Sequence, residues 1–270
     1  MKIQNFIVIS TLDWKSNWQI PHELVNSLLK NKNRVLYIEN TGVRSLMLRD
    51  FSRVFKRIFN FFKSAKGFKN QSENFSTFSP IILPYPYGKL ALYINKFIYI
   101  KNIKTWIETN QLEDTTLICF LPTPINLELT KYINFKKKIY YCLDNLSKGY
   151  LDSIKVRSYE KKFLKISDIN FFTSQKLMQK NYTPKKTLLL PAGVKLENFN
   201  KNKVINKTKK KIIGYIGAVS DVFDQELVIK IAKKYKDYQI NIIGPVVTNI
   251  SNLTKLKNIK FIKQIEHKYL

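Results

Sequence analysis

The chain has 270 residues, 44% of them hydrophobic and 13% aromatic, which is enough for one large or two ordinary buried cores and excludes global disorder. Lys and Arg outnumber Asp and Glu by 47 to 19, and the net charge of +28 indicates an anionic partner: nucleic acid, an acidic membrane surface or a phosphate-rich substrate. Cys119 and Cys142 lie in apolar runs without CxxC spacing, which favours a reducing cytoplasm over a disulfide framework or a zinc site. No stretch approaches the roughly 20 apolar residues of a membrane span, so any membrane contact is predicted to be peripheral.

Short apolar runs alternate with helical patterns along most of the chain. Strands are predicted at residues 5–10, 34–39, 115–121, 138–143, 169–173 and 187–191, and helices at QIPHELVNSLLK, GKLALYINKFIYIKNIKTWIE and YEKKFLKIS. Apolar strands joined by helices predict a parallel sheet that is covered on both faces. We expect this first domain to span residues 1–197, a lysine-rich linker residues 198–211, and a second α/β alternation residues 212–270.

The loop after the first predicted strand, STLDWKSNWQIPHE (10–23), has side chains suited to a sugar. The rings of Trp14 and Trp18 could stack on it. The polar side chains of Asp13, Gln19 and His22 could hydrogen-bond its hydroxyl groups. The competing interpretation is that both tryptophans pack between this loop and the sheet. Because the chain contains only two histidines, no histidine-rich metal site is predicted.

The segment RSLMLRDFSRVFKRIFNFFKSAKGFK (44–69) combines apolar residues at helical spacing with eight basic residues and one acid. A basic amphipathic helix with aromatic residues on its apolar face can lie in the headgroup layer of an anionic membrane. The alternative is an ordinary helix that packs its phenylalanines on the sheet.

An apolar strand ends in YYCLDN (140–145) and brings Asp144 just past its carboxyl end, where open α/β sheets hold their ligands. A carboxylate there can act as a general base towards an acceptor hydroxyl. The alternative is that Asp144 caps the following segment or begins a turn. Glu160, on a later helix, is expected to be a solvated surface acid or a capping partner.

A second strand ends in YIGAVSD (215–221), before the next predicted helix. Gly217 would let the backbone approach a diphosphate near the positive end of that helix. Ser220 or Asp221 could cap the helix. The alternative is an ordinary glycine in a βα turn, since the full G-x-G-x-x-G pattern is absent.

Together these stretches resemble a known family. DWKSNWQIPHELVNSLLKNKNRVLYIENTGVRSLMLRD is similar to the N-terminus of bacterial GT-B glycosyltransferases, in the branch that builds teichuronic acids, capsules and other surface polysaccharides. Further similar blocks follow in the family's order and extend the resemblance over nearly all of the chain: SPIILPYPYGKLALYINK, KIYYCLDN, SDINFFTSQKLMQKN, LLLPAGVKLENF and IGYIGAVSDVFDQELVIKIAKKYKDYQINIIGPV.

The resemblance implies an α/β GT-B fold, with a Rossmann-like acceptor domain followed by the first part of a Rossmann-like donor domain. It implies transfer of a sugar from a nucleotide-sugar donor to a lipid-linked or polysaccharide acceptor at the inner face of the plasma membrane. Asp144 matches the family's base, and Gly217 with Ala218 matches its glycine turn near the donor diphosphate. The resemblance also implies that no metal or other cofactor is needed, because backbone amides and basic side chains neutralise the leaving diphosphate.

The sequence departs from the family's pattern at several positions. The motif Pro-Asn-Gly-Val-Asp reads PAGVK here, with Ala192 and Lys195, and Asn145 replaces a second acid after the Cys142 strand. The chain ends where the family continues into residues that grip the donor, which predicts a truncated donor domain. The alternative function is therefore an inactive fragment, or an acceptor- and membrane-binding module that needs a separately encoded second half. A nucleic-acid-binding protein is disfavoured, because no helix-turn-helix, RNA-recognition or OB signature is present.

Overall fold

The computed structural model describes residues 3–16, 18–41, 67–83, 87–146, 153–181, 186–194 and 211–265. Contacts within the chain divide it into two compact units, Met1–Gly193 and Val194–Leu270, which we describe one at a time. Two predicted features lie largely outside the described residues. They are the basic helix 44–69, of which only 67–69 are described, and the linker 198–211, of which only Lys211 is described.

Unit 1 is an α/β unit in which eight described strands form one sheet, in the order β3-β4-β2-β1-β5-β6-β7-β8. All neighbouring strands are parallel except β3 and β4, which are antiparallel. The strands are β1 Asn5–Ile9, β2 Arg34–Ile38, β3 Phe68–Ser72, β4 Phe75–Phe78, β5 Thr116–Cys119, β6 Lys137–Cys142, β7 Ile169–Phe172 and β8 Thr187–Leu189. The helices are α1 Ile20–Lys30, α2 Lys89–Thr109, α3 Pro124–Tyr132, α4 Ser153–Ile166 and α5 Gln175–Lys180.

Helices cover both faces of the sheet, so its central strands are apolar at every position rather than at alternate ones. In β1, Ile7 and Ile9 join a core cluster beneath α2 and α3, while Val8 points to the opposite face and the cluster beneath α1. All three side chains are fully buried. Burial of a side chain of this size contributes about 1.5–3 kcal/mol, so these three residues stabilise the unit on both faces of the sheet. The predicted parallel sheet, covered on both faces, is confirmed.

The sequence prediction was wrong at the edge of this sheet, where β3 and β4 form a hairpin. The predicted basic helix ran through Lys69, but Phe68 and Lys69 belong to β3. Phe68 pairs with Phe78 across the hairpin, and their rings stack with centroids 4.2 Å apart. The polar residues of β3 face solvent on the outer edge, so neither strand shows the apolar run that identified the other strands. Helices α3 and α5 were not predicted either.

Unit 2 contains a parallel three-stranded sheet in the order β11-β10-β9 among its described residues. Ile240 and Ile242 of the middle strand are buried beneath the main helix, together with Ala232 from that helix. The strand-helix-strand pattern predicted for this region is confirmed. The elements are β9 Lys211–Ile216, α6 Gln225–Lys234, β10 Tyr238–Ile243, α7 Ser251–Thr254 and β11 Ile259–Ile262.

Candidate functional site

The order of strands in unit 1 reverses at β1, because β2 lies on one side of it and β5 on the other. In open α/β sheets the loops that leave the carboxyl ends of the strands part at such a switch point and form a crevice. Here the loop 10–19 follows β1, residues 120–123 follow β5, and residues 143–146 follow β6. The parallel sheet therefore brings both sequence-predicted regions of unit 1, the tryptophan loop and Asp144, to the same edge.

Hydrogen bonds to neighbouring strands hold the loop 10–19 in place. The Trp14 amide donates to Glu39 Oε1 at 2.9 Å, just beyond β2. The Tyr37 hydroxyl donates to Ser10 Oγ at 2.6 Å, and the same serine oxygen accepts from the Leu12 amide at 3.0 Å. The loop that would meet a ligand is thus anchored through its backbone to the sheet.

The two tryptophans of this loop have different surroundings. The Trp14 ring packs edge-on against Tyr37 and Phe75, with centroids 5.1 and 4.5 Å away. The Trp18 ring stacks on His22 at 5.0 Å, yet 52% of the residue is exposed. The interpretation that the tryptophans pack against the sheet is therefore correct for Trp14. Trp18 instead keeps part of its aromatic ring exposed to solvent. Gln19 is exposed and Asp13 is half-buried beside them. Their contact with a sugar stays a prediction.

The expectation that His22 contacts a sugar was wrong, because His22 is fully buried and supports this loop from beneath. Its Nδ1 accepts a hydrogen bond from the Gln19 amide at 3.1 Å, which places the ring proton on Nε2, facing the Asp13 carbonyl oxygen at 3.3 Å. Both contacts are satisfied by the neutral ring. Burial lowers the pKa of His22 below its ordinary value, and its hydrogen bonds to the backbone only partly oppose this effect.

We predict that unit 1 loses stability as the pH falls below 6.5, the ordinary histidine value. Below this pH, His22 takes up a proton in the unfolded chain but resists protonation in the folded chain, which favours unfolding. Above pH 6.5 His22 is neutral in both states, so its contribution to the free energy of unfolding is constant. Tryptophan fluorescence during urea unfolding reports on this unit, because Trp14, Trp18 and Trp106 all belong to it. The variant His22→Asn keeps an acceptor for the Gln19 amide and should lose this part of the pH dependence. An unchanged pH profile in the variant would contradict the assignment.

Asp144 lies exposed at the carboxyl edge, in a turn that the neighbouring strands fix. Its carbonyl oxygen accepts from the Leu146 amide at 3.0 Å and from Cys142 Sγ at 3.4 Å. Thr173, at the end of β7, donates from its hydroxyl to the preceding Leu143 carbonyl at 2.7 Å. The backbone is therefore anchored on both sides while the carboxylate faces solvent. Asn145, the departure from the family's pattern, accepts from Lys180 Nζ at 3.1 Å.

Glu160 is not the solvated or capping acid that the sequence suggested. It is 5% exposed and lies under the Asp144 turn, where its Oε1 accepts from the Tyr140 hydroxyl at 2.8 Å and from Cys142 Sγ at 3.6 Å. Burial, reinforced by the nearby Glu160, raises the pKa of Cys142 to about 12 and that of Tyr140 well above its ordinary value. Both groups are held protonated: Tyr140 donates to the carboxylate, and the single thiol proton of Cys142 is shared between Glu160 and the Asp144 carbonyl. These contacts fix the strand end that carries Asp144.

Sequence reasoning missed Thr123 and Asn126, which follow β5 at the switch point. Both are buried, and Asn126 donates to the Leu121 carbonyl and accepts from the Tyr99 hydroxyl, each at 2.8 Å. Thr123 is the N-cap of α3, yet its buried Oγ1 has no hydrogen-bond partner among the described residues. The signal that could have found them is a Thr-Pro pair directly after an apolar strand, where proline favours the first helical position.

In unit 2 the carboxyl ends of β9 and β10 are joined by a close backbone crossing. The Gly217 amide donates to the Ile243 carbonyl at 2.9 Å, and Val219 and Val246 form an isolated parallel bridge beyond the strands. Helix α6 begins only at Gln225 and is capped by Asp224, whose Oδ1 accepts from the Leu227 amide at 2.9 Å. The suggestion that Ser220 or Asp221 caps this helix was therefore wrong, because the loop after Gly217 is longer than the sequence indicated.

The residue at which this crossing most strictly requires glycine is Gly244. Its φ is +144°, and a Cβ atom there would lie 2.2 Å from the Gly217 carbonyl oxygen. A Cβ at Gly217 would instead lie 2.9 Å from the Tyr215 hydroxyl oxygen, the far end of a side chain that can turn away. The sequence analysis identified Gly217 but not Gly244. The close backbone contact at Gly217 nevertheless depends on the absence of a side chain at Gly244.

We predict that Gly244→Ala destabilises unit 2 by about 2–4 kcal/mol, since both the backbone and the contact are strained. Gly217→Ala should cost about 1 kcal/mol or less. Gly214→Ala is the matched control, because no described residue other than its chain neighbours has an atom within 4 Å of its Cβ position. Native-state hydrogen exchange of β10 measures the stability of this unit separately. Equal losses for the alanine variants at 244 and 214 would refute this account of the crossing.

Polar residues also line a cleft at the opposite, amino edge of the unit 1 sheet, among them Arg34, Glu73 and Gln111. None of the predicted site residues borders it. Within the described ranges, no group of three His, Cys, Asp or Glu side chains is placed to hold a metal ion. No helix of the described part is both long and apolar enough to cross a membrane.

No protein-family model and no curated protein sequence matches the chain, but several solved structures have a similar fold. The chain is similar to sucrose-phosphate synthase from Thermosynechococcus elongatus, with a TM-score of 0.67 and 15% identity over 99% of this chain and 72% of that one. It is similar to a glycosyltransferase from Rickettsia africae, with a TM-score of 0.59 and 13% identity over 99% of this chain and 70% of that one. It is also similar to E. coli trehalose-6-phosphate bound with UDP-2-fluoro glucose, with a TM-score of 0.56 and 9% identity over 98% of this chain and 75% of that one.

These likenesses extend over both units of the chain. At identities of 9–15% they establish the fold and no more. The chain has the α/β, Rossmann-like fold of the GT-B type, which confirms the predicted fold class.

Proposed function

We propose that this protein is a glycosyltransferase that moves a sugar from a nucleotide-sugar donor to a lipid-linked precursor of a cell-surface polysaccharide. The observation that carries the proposal is the likeness over 98–99% of the chain to structures that include a glycosyltransferase and a protein bound with UDP-2-fluoro glucose. The series of sequence blocks that resembles the surface-polysaccharide branch supports the finer choice of acceptor.

In this proposal each unit holds one substrate at its own carboxyl edge. The donor diphosphate meets the backbone of Gly217 and Ala218, where the absence of a side chain at Gly217 allows close approach. The acceptor sugar lies against the exposed ring of Trp18, with Gln19 and Asp13 near enough in the loop to hydrogen-bond its hydroxyl groups. Backbone amides and basic side chains neutralise the departing diphosphate, so the reaction we propose needs no metal or cofactor.

Asp144 is the proposed general base. As the acceptor oxygen bonds to the anomeric carbon, the bond from that carbon to the diphosphate breaks, and the hydroxyl proton passes to the Asp144 carboxylate. Two structural features support this role: the carboxylate is exposed, and the Cys142, Thr173 and Glu160 contacts fix the strand end that carries it. The proposed reaction takes place at the inner face of the plasma membrane, with the basic segment before β3, residues 44–66, on the anionic lipid surface.

We predict that Asp144→Asn lowers the transfer rate by about 10²–10⁴-fold while the dissociation constant of the donor stays the same. Transfer is measured with the purified chain, a panel of radiolabelled UDP, GDP, dTDP and CMP sugars, and a bacterial membrane-lipid extract as the acceptor. Donor binding is measured separately by calorimetry.

The matched control is Asp114→Asn, which removes an exposed carboxylate at the opposite edge of the same sheet and should retain full activity. Undiminished transfer by Asp144→Asn would remove Asp144 as the base. If the chain binds no member of the donor panel, the proposed function itself fails.

A further inference from the structure

Helix α2 is apolar on two opposite faces, whereas a surface helix normally has one apolar face. Its inner face packs on the sheet through Tyr99 and Ile103, which are almost completely buried. On the opposite side, apolar residues recur at the i, i+3, i+4, i+7 and i+8 spacing of a second helical stripe. We call this stripe the α2 outer face; it consists of Leu90, Tyr93, Ile94, Phe97 and Ile98.

The α2 outer face is exposed to solvent. Leu90 is 74% exposed, and Tyr93 and Phe97 are each 59% exposed. The Tyr93 and Phe97 rings meet edge to face with centroids 5.2 Å apart, so the stripe is continuous across two helical turns. Single exposed apolar residues are common on protein surfaces, but a contiguous stripe of this kind is typical of an interaction surface.

Positive charge surrounds this stripe. Lys101 and Lys104 continue the same side of the helix after the apolar residues, and both are exposed. Lys96 lies at the flank, where its Nζ donates to the Tyr132 hydroxyl at 3.0 Å; this bond raises the pKa of Lys96 above its ordinary value. Helices α2 and α3 contain one acid each: Glu108, at the far end of α2, and Glu128 on α3, which pairs with Lys131.

The outer face also lies at the functional end of unit 1. Helix α2 follows β4, so its first turns begin at the carboxyl edge of the sheet and its last turn ends at the amino edge. Thr41, after β2, and Gly67, before β3, also lie at the carboxyl edge, because β3 is antiparallel to its neighbour. The basic segment 42–66 is therefore attached to this edge at both of its ends.

Charge decides between the possible occupants of the α2 outer face. A second copy of the chain, or the basic segment 42–66, would bring further lysines and arginines against the lysines of α2. An anionic lipid surface instead complements them, and its acyl boundary accepts Leu90 and Phe97. We propose that the α2 outer face docks on a bilayer that contains anionic phospholipid.

This docking does not depend on glycosyl transfer. If the proposed function also holds, docking brings the carboxyl edge of unit 1, with Asp144 and Trp18, towards the membrane in which a lipid-linked acceptor resides. The two proposals are tested separately, because docking is measured with lipid alone.

The test is sedimentation of the full chain with vesicles of phosphatidylcholine and phosphatidylglycerol, compared with phosphatidylcholine alone. We expect binding to the mixed vesicles. The double variant Leu90→Gln/Phe97→Gln should bind about tenfold more weakly, because it removes apolar insertion without changing the charge. The double variant Lys101→Glu/Lys104→Glu should also lose about tenfold or more, since each lysine near an anionic surface contributes on the order of 1 kcal/mol.

Matched controls separate this surface from the general attraction of a +28 chain to anionic lipid. Val222→Gln removes an apolar side chain that is 93% exposed in unit 2 and should leave binding unchanged. Lys233→Glu/Lys234→Glu on α6 makes the same change in net charge as the α2 pair and should weaken binding much less. If each α2 pair weakens binding no more than its control, the proposal is overturned.

Two further results would assign the α2 outer face to another occupant and also overturn the proposal. Leu90→Gln/Phe97→Gln could convert a dimer to a monomer in analytical ultracentrifugation and leave vesicle binding intact, which would identify a self-association surface. The same variant could lower the urea midpoint of unit 1 and leave vesicle binding intact, which would show that the chain itself covers the stripe.

Discussion

The parallel pairing of β1 with β2 on one side and with β5 on the other determines everything else in unit 1. It sends every βα loop to one edge and every returning helix end to the other, so the tryptophan loop, the Asp144 turn and the start of α2 share an edge although they are distant in sequence. Because helices cover both faces of the sheet, its edges are where the connecting loops meet solvent. In an open parallel sheet ligands gather at the carboxyl edge.

Buried polar side chains hold the backbone in place at this edge. They are either neutral themselves or accept hydrogen bonds from neutral donors. His22 supports the tryptophan loop as an uncharged ring, and Glu160 accepts from Tyr140 and Cys142 beneath the Asp144 turn. Such groups are costly to bury unless they are hydrogen-bonded. The bonds of His22 go to the backbone of the tryptophan loop, and those of Glu160 go to the end of β6, which carries Asp144. The hydroxyl of Thr123 at the switch point departs from this pattern, because it has no partner in the part of the chain that the structure describes.

The sequence allowed prediction of the strands that are buried on both faces, because Ile, Val, Leu and Phe run continuously through them. It did not reveal the β3-β4 hairpin, whose outer strand is polar and whose inner strand has only four residues. Asp144 could be found from its position after an apolar strand, whereas the burial of Glu160 depends on how α4 packs over β6. Gly244 escaped notice because its requirement arises from a contact with Gly217, a residue on a different strand. Positions set by one strand or helix were predictable; positions set by contact between distant segments were not.

The central claim is that both units present substrates at the carboxyl edges of their sheets. The most direct measurement is hydrogen–deuterium exchange of the full chain with UDP-glucose and then with other nucleotide sugars. Our account predicts slower exchange on donor binding at residues 217–224 and 244–247, beyond the ends of β9 and β10. It also predicts unchanged exchange at the amino-edge cleft of unit 1, including residues 109–112. Protection confined to that cleft, with none around Gly217 and Gly244, would contradict the account.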